Sequence, residues 1–235
     1  MIIGSISATY IIFHEIQQFK HHLKIPVFAV IMGIGCSGGY YVANAADQIY
    51  APPTSITGSI GVVAFFPELK GLADKIGYDQ VVKKSGEMKD MGNPLEKMPK
   101  EERQVMQGII DRYYERFLDK VVGGRKTFSS VTKVQNEVGD GRIFSAQEAL
   151  SRNLVDDIAY LDQVINKIKG VADIKHAHIV TFTYGRTKDT TIYSRTQSAN
   201  RKPGVFNISL PDLDQILGPR QPGFYYLWMG GLNQK

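Results

Sequence analysis

Repeated strand-helix units predict an α/β fold with a largely parallel sheet, and three stretches carry that prediction. Residues 25–46 begin with the apolar, β-branched run Ile25 to Ile31, the composition of a strand covered on both faces. They end in the Ala-rich segment Tyr40 to Ala46, which suits a helix, and a glycine-dense corner (Gly33, Gly35, Gly38, Gly39) lies between the two. The segment Glu101 to Val122 puts Met106, Ile109, Ile110, Tyr113, Phe117 and Val121 on one side of a long helix, closed by Gly123-Gly124. In the third stretch, Gly139-Asp140-Gly141 reads as a turn and Ser145 as a helix cap with Glu148 at the reciprocal position. The strand Leu154–Ala159 and the helix Leu161–Ile168 follow.

The remaining elements follow in order. Ser5 or Ser7 caps a helix whose Ile12, Ile16, Phe19 and Leu23 form one predicted buried face, with His14, His21 and His22 toward solvent. Gln48–Ala51 is a short strand, Thr57–Phe65 a glycine-started strand, and Leu69–Ile76 a short helix stopped by Gly77. Gln80-Val81-Val82 is strand-like and leads into a Gly/Asn/Pro-rich loop. Near the end, His178–Tyr184 alternates as an edge strand does. Pro222–Met229 is an aromatic patch expected to dock on a neighbouring subunit.

Composition narrows the class. A chain of 235 residues, 43% hydrophobic and 22% charged, is ordinary for a globular domain. Its longest apolar run is interrupted by Pro26, by glycines and by Ser37, so a buried strand, turn and helix fit better than a membrane span. No charged-then-apolar leader opens the sequence, so any membrane anchor is expected to lie outside it. One cysteine, Cys36, rules out an internal disulfide, and no His/Cys/acid cluster has metal-ligand spacing, so neither a metal nor a cofactor is expected. The net charge of +5 is concentrated after residue 171, where eight Lys/Arg face four Asp. A nucleic-acid groove should run through the core fold, so a nucleic-acid partner is not expected; the basic tail reads as solvated or as touching anionic lipid heads.

Three motifs compete for the glycine corner. Gly33-Ile34-Gly35-Cys36-Ser37-Gly38 satisfies G-x-G-x-x-G, but the acidic ribose partner expected about 20 residues on is replaced by Ala51-Pro52-Pro53-Thr54. Gly35-Cys36-Ser37-Gly38-Gly39 satisfies the nucleophile elbow G-x-S-x-G, whose acid and histidine should follow; only His176 and His178 are available, in the basic tail. The third arrangement pairs Ser37 with a lysine base, Lys89, in the loop Ser85-Gly86-Glu87-Met88-Lys89-Asp90. A serine at a helix N-terminus lies where backbone N–H groups and the helix dipole stabilise a developing oxyanion. A lysine base must be largely neutral, which requires desolvation in an apolar cleft.

Ser37-Gly38-Gly39-Tyr40-Tyr41, then Thr57-Gly58-Ser59-Ile60-Gly61-Val62, then Ser85-Gly86-x-x-Lys89-Asp90 closely resembles the signal peptide peptidase A family of Ser/Lys peptidases. Lys89 follows Ser37 by 52 residues, the spacing of that family's nucleophile and base. The resemblance runs from about Gly4 to about Val171 and implies a crotonase-like or Clp-protease-like fold. It further implies that Ser37 is the nucleophile, Lys89 the general base and Ser59 a hydroxyl that orients the lysine amine. Gly4 would form the oxyanion hole with the backbone N–H of Ser37.

Other expectations follow from the same resemblance. Residues 1–171 would be an N-terminally truncated peptidase domain and 172–235 a basic C-terminal extension. Substrates would be hydrophobic peptides such as residual signal peptides. The chains would form a ring-shaped homo-oligomer with sites shared between subunits, membrane-associated and with the catalytic domain on the extracytoplasmic side. Where the family carries Asp-Ser-Pro-Gly-Gly up to the oxyanion glycine, this sequence has Met1-Ile2-Ile3 before Gly4. A rival expectation rests on that departure: a catalytically impaired crotonase-like scaffold lacking N-terminal strands and a complete oxyanion hole.

Overall fold

A computed structural model describes residues 5–180, Phe182 and the backbone of 223–225. Helix α1 (Ile6–Leu23) leads into strands β1 (Phe28–Val30) and β2 (Ile34–Cys36), helix α2 (Gly38–Ala43) and strands β3 (Gln48–Ala51), β4 (Ile56–Gly58) and β5 (Val63–Phe65). Helix α3 (Lys70–Ile76), a 3-10 turn at Glu87–Asp90, the long α4 (Lys100–Gly124) and α5 (Val131–Val138) come next. Strand β6 (Ile143–Ser145), α6 (Ala146–Ser151), β7 (Asp157–Ile158) and α7 (Leu161–Val171) follow, and β8 (Gly223–Tyr225) comes last.

Among the described residues the strands form three small sheets. In one, β1, β3 and β7 are all parallel; in the second, β4 lies parallel to β2 and antiparallel to β6; in the third, β5 and β8 pair antiparallel. The expected mixed α/β fold with largely parallel pairing is therefore present, and it is consistent with a Clp-protease-like architecture. The apolar run that opens the glycine corner feeds two sheets. Ile31 donates its N–H to Tyr50 at 2.8 Å, the Ser55 hydroxyl donates to the Ile31 carbonyl at 2.5 Å, and β2 then begins beside β4.

The core gathers around α2. Tyr40 and Tyr41 are fully buried; Tyr41 meets Phe117 of α4 edge-on at 5.1 Å and Phe13 of α1 at 5.3 Å. Such tilted aromatic pairs add to the area they bury. The Tyr40 hydroxyl donates to the Leu154 carbonyl at 2.9 Å, tying α2 to the approach to β7, and burial holds that phenol well above its usual range. Gly124 ends α4 against α2: a Cβ there would meet the Asn44 carbonyl oxygen at 2.7 Å. Next to it, Arg125 makes a bidentate pair with Asp156 at 2.7 and 2.8 Å, and Asp156 also accepts the Ile49 N–H at 2.7 Å. One carboxylate thus joins the end of α4 to β3.

Several sequence expectations need correction. Ser5 does cap α1, its hydroxyl accepting the Ala8 N–H at 3.2 Å, but the inward face is Ile6, Thr9, Phe13, Ile16, Gln17 and Lys20, so of the predicted face only Ile16 turns inward. Ile12, Phe19 and Leu23 are exposed, because Gln17 and Lys20 both donate to the Ala45 carbonyl at 2.9 Å and turn the helix that way. The single strand expected over Thr57–Phe65 is two, β4 and β5, broken where Gly58 and Ser59 take positive φ. Gln80-Val81-Val82 is not a strand: no neighbour among the described residues pairs with it, and Val81 is 85% exposed. The strand over Leu154–Ala159 shrinks to Asp157–Ile158, with Leu154 and Val155 buried ahead of it. Helix α5, not anticipated, carries Val131, Val134 and Val138 on its inner side behind a Ser130 cap. Residues 178–180 carry no strand. Phe182 carries none either and is exposed, whereas Thr181, Thr183 and Tyr184 lie outside the described residues, as do the side chains of the aromatic patch.

Candidate active site

Parallel strands β2 and β4 run side by side with Cys36 opposite Gly58. Thr57 locks the pair by donating its hydroxyl to the Gly35 carbonyl at 2.8 Å. Ser37 and Ser59 each follow the carboxyl end of one of these strands, the end at which open α/β sheets place their ligands. The two serines are therefore brought together, and both have positive φ, 53° and 51°.

Ser37 is the more strained. Its φ of 53° and ψ of −115° lie outside the regions open to a residue with a Cβ. Holding such a residue costs on the order of 1–3 kcal/mol and needs over-determined surroundings. They are present: the Ser37 N–H donates to the Gly58 carbonyl at 2.7 Å, and its carbonyl accepts the Tyr41 N–H at 2.8 Å to start α2. The hydroxyl that this sharp corner presents is 1% exposed and has no hydrogen-bond partner among the described residues. An unpaired buried hydroxyl costs a further 1–3 kcal/mol, roughly. A turn serving packing alone would carry neither cost.

The Ser37 N–H is thus committed to the sheet. The N–H groups of Gly38 and Gly39, in the first turn of α2, have no intrahelical acceptor and are the donors this corner offers. Cys36 is buried next to the corner, and burial pushes its thiol up to about 12, so it is a neutral filler. Ser59 is nearly buried and its N–H donates to the Arg142 carbonyl at 2.7 Å. The preceding Gly58 has no room for a side chain: at φ +86°, a Cβ would sit 2.6 Å from Phe144 and 3.0 Å from the Arg142 carbonyl oxygen.

Lys89 is placed differently. It sits in the 3-10 turn Glu87–Asp90, exposed, and its ammonium makes no hydrogen bond or ion pair among the described residues; within one chain it is not joined to Ser37 or Ser59. Gly4 lies outside the described residues. His176 and His178 are exposed and neither bonds the Ser37 hydroxyl, which leaves the histidine-based elbow without its base. Sequence reasoning missed Glu102, buried in the first turn of α4, whose carboxylate accepts the Gly92 N–H at 3.1 Å and so reaches the loop of Lys89. An acidic residue three positions into a helix gave only a generic signal. Among the described residues no group of three or more His, Cys, Asp or Glu could hold a metal ion, and no helix is long and apolar enough to cross a membrane.

Comparison with known proteins adds to this geometry. The model of peptidase family S49 matches residues 20–175. A protein of Enterococcus faecium named as a signal peptide peptidase SppA is 31% identical over 198 residues, covering 84% of this chain and 55% of that protein. A protein of Methanocaldococcus jannaschii named as a protease is 32% identical over 173 residues, 74% of this chain and 54% of its own. The chloroplastic serine protease SPPA of Arabidopsis thaliana is 34% identical over 150 residues, 63% of this chain and 22% of its own. The chain spans about half the length of the first two relatives.

Proposed function

The chain belongs to peptidase family S49, and from that membership we propose that it acts as a serine peptidase with Ser37 as nucleophile and Lys89 as general base. The observation that carries the reading is the Ser37 hydroxyl, buried and unpartnered on a strained corner between a strand and a helix. Its Oγ attacks a peptide carbonyl carbon while the neutral Lys89 amine takes the hydroxyl proton. The oxyanion that forms is met by the N–H groups at the start of α2, with Gly4 as the second source of a donor. Collapse breaks the carbon–nitrogen bond, and Lys89 returns the proton to the leaving amine. A water molecule then attacks the acyl ester and gives a proton to Lys89; the carbon–Oγ bond breaks and Lys89 passes that proton to Oγ, which restores Ser37 and the neutral amine. The Ser59 hydroxyl, beside Ser37 at the strand ends, orients the amine.

An exposed Lys89 in each chain supports a site completed by a neighbouring subunit, whose packing would desolvate the amine. The assembly is a ring of identical chains, and its substrates are hydrophobic peptides such as residual signal peptides, at the membrane on its extracytoplasmic side. Residues 1–171 form the peptidase part and 172–235 a basic extension. A second reading, an impaired scaffold, has one observation in its favour: the Ser37 N–H is already bonded to Gly58 and cannot serve an oxyanion in this conformation.

Mixing Ser37→Ala with Lys89→Ala protomers tests both. Each variant alone should be inactive. In mixed assemblies some interfaces pair an intact Ser37 with an intact Lys89, so cleavage should partly return. No return, in assemblies shown by mass to be mixed, would put both residues in one chain; wild-type-like turnover by Ser37→Ala, or no turnover by the wild type, would favour the scaffold.

A further inference from the structure

Glu102 is 8% exposed, an unusual place for a carboxylate, and among the described residues no cation pairs with it. Its Oε2 accepts the N–H of Gly92 at 3.1 Å. That glycine has φ +81° and packs under Phe66, where a Cβ would stand 3.2 Å from the ring. Three residues upstream is Lys89. On its other side Lys84 holds Asp90 through a 2.8 Å ion pair, and the loop closes where the Pro94 carbonyl accepts the Leu69 N–H at 2.6 Å. The Lys89 N–H itself is held by the Gly86 carbonyl at 3.0 Å, and the Asn93 N–H by Asp90 at 2.9 Å. The backbone is thus fixed before and after Lys89 while the side chain projects free. The carboxylates acting on Lys84 are Asp90, Glu87 and Glu96 of the same loop, and Glu102 reaches the loop from α4.

We infer that Glu102 is a positioning residue for Lys89: by accepting the Gly92 N–H from the first turn of α4 it fixes the loop from Gly86 to Pro94, and with it the reach of the lysine amine. The inference rests on the Ser37/Lys89 reading above. Burying a carboxylate is costly, and the positive end of α4 offsets only part of that cost. A cap serving only the helix would sit at its surface; this one spans to the loop.

The test measures kcat and KM of the full chain on an apolar fluorogenic peptide, per folded protein, for Glu102→Ala, Glu102→Gln, Lys89→Ala and the double variant Glu102→Ala/Lys89→Ala. A loosened loop misplaces the base without removing substrate contacts. Glu102→Ala should therefore lower kcat by about 10- to 100-fold at nearly unchanged KM. Glu102→Gln keeps an oxygen acceptor at the same reach and should recover most of that loss. In the Lys89→Ala background, adding Glu102→Ala should change the residual rate no further, because the group it positions is gone. Should Glu102→Ala fail to fold, Glu102→Asp, one methylene short of Gly92, takes its place with the same expectation. An unchanged kcat, equal losses in the Ala and Gln variants, or additive losses in the double variant would each overturn the inference. Lys89→Ala with wild-type kcat would instead overturn the dyad, and this inference with it.

Discussion

Ser37 combines a strained backbone with a buried, unpartnered hydroxyl, and that makes its removal informative in two directions. Ser37→Gly should abolish cleavage and yet stabilise the fold by about 1 kcal/mol, since glycine relieves the positive φ and deletes an unpaired hydroxyl. Urea unfolding of the two proteins checks this, and a large destabilisation would show that the hydroxyl is structural. Lys89→Arg should be inactive because a guanidinium cannot take up the serine proton. Turnover by Lys89→Arg at the wild-type rate would argue against an amine base. Cys36, one residue from Ser37, should resist alkylation at pH 8 in the folded protein: its thiol is pushed up to about 12 by burial, and only the thiolate reacts. The Ser37 corner was legible in the sequence because glycines and a lone serine between a strand run and an Ala-rich helix have few other uses. The commitment of the Ser37 N–H to Gly58 was not, since it depends on β4 lying beside β2, a pairing 22 residues away in the chain.

Elements hold this corner by contacts that tolerate little change. Gly58→Ala should destabilise by about 1–3 kcal/mol or more, because the new methyl meets both the Phe144 ring and a backbone oxygen at a positive φ. Arg125→Met should cost about 3 kcal/mol by leaving Asp156 unpaired beside the Ile49 N–H. Both are read from urea midpoints. In the capping box of α6, hydrogen bonds from the Ser145 N–H and hydroxyl hold Glu148 below the usual carboxylate range. The contribution of that box is therefore present above the unfolded pKa of about 4.3 and lost as pH falls through the lower folded value, a loss that Ser145→Ala, which keeps the backbone N–H, should reduce and Glu148→Gln should remove. The box itself was legible, since Ser-x-x-Glu before an apolar run is a local signal. The face of α1 was legible only at Ile16: the apolar stripe Ile12, Ile16, Phe19 and Leu23 is regular, but hydrogen bonds from Gln17 and Lys20 to Ala45 decide which side turns inward. Arg125 and Asp156 lie 31 residues apart and give no periodic signal at all.

For the whole molecule, a dyad divided between chains predicts that activity requires assembly. Light scattering coupled to size exclusion should find active fractions only at multiples of the 26.2 kDa chain, and dilution below the assembly limit should abolish turnover. The α/β class was legible from alternating strand and helix patterns. The division into three small sheets was not, because β1 and β2 read as one apolar run until Ser55 and Tyr50 are seen to end the first strand at Ile31. The most direct measurement is peptide-mapping mass spectrometry of the full chain after treatment with a fluorophosphonate, which bonds covalently to an activated serine. A single adduct on the peptide containing Ser37, absent from Ser37→Ala and suppressed in Lys89→Ala, is the predicted result. An adduct on another serine, or equal labelling of the wild type and Lys89→Ala, would contradict it.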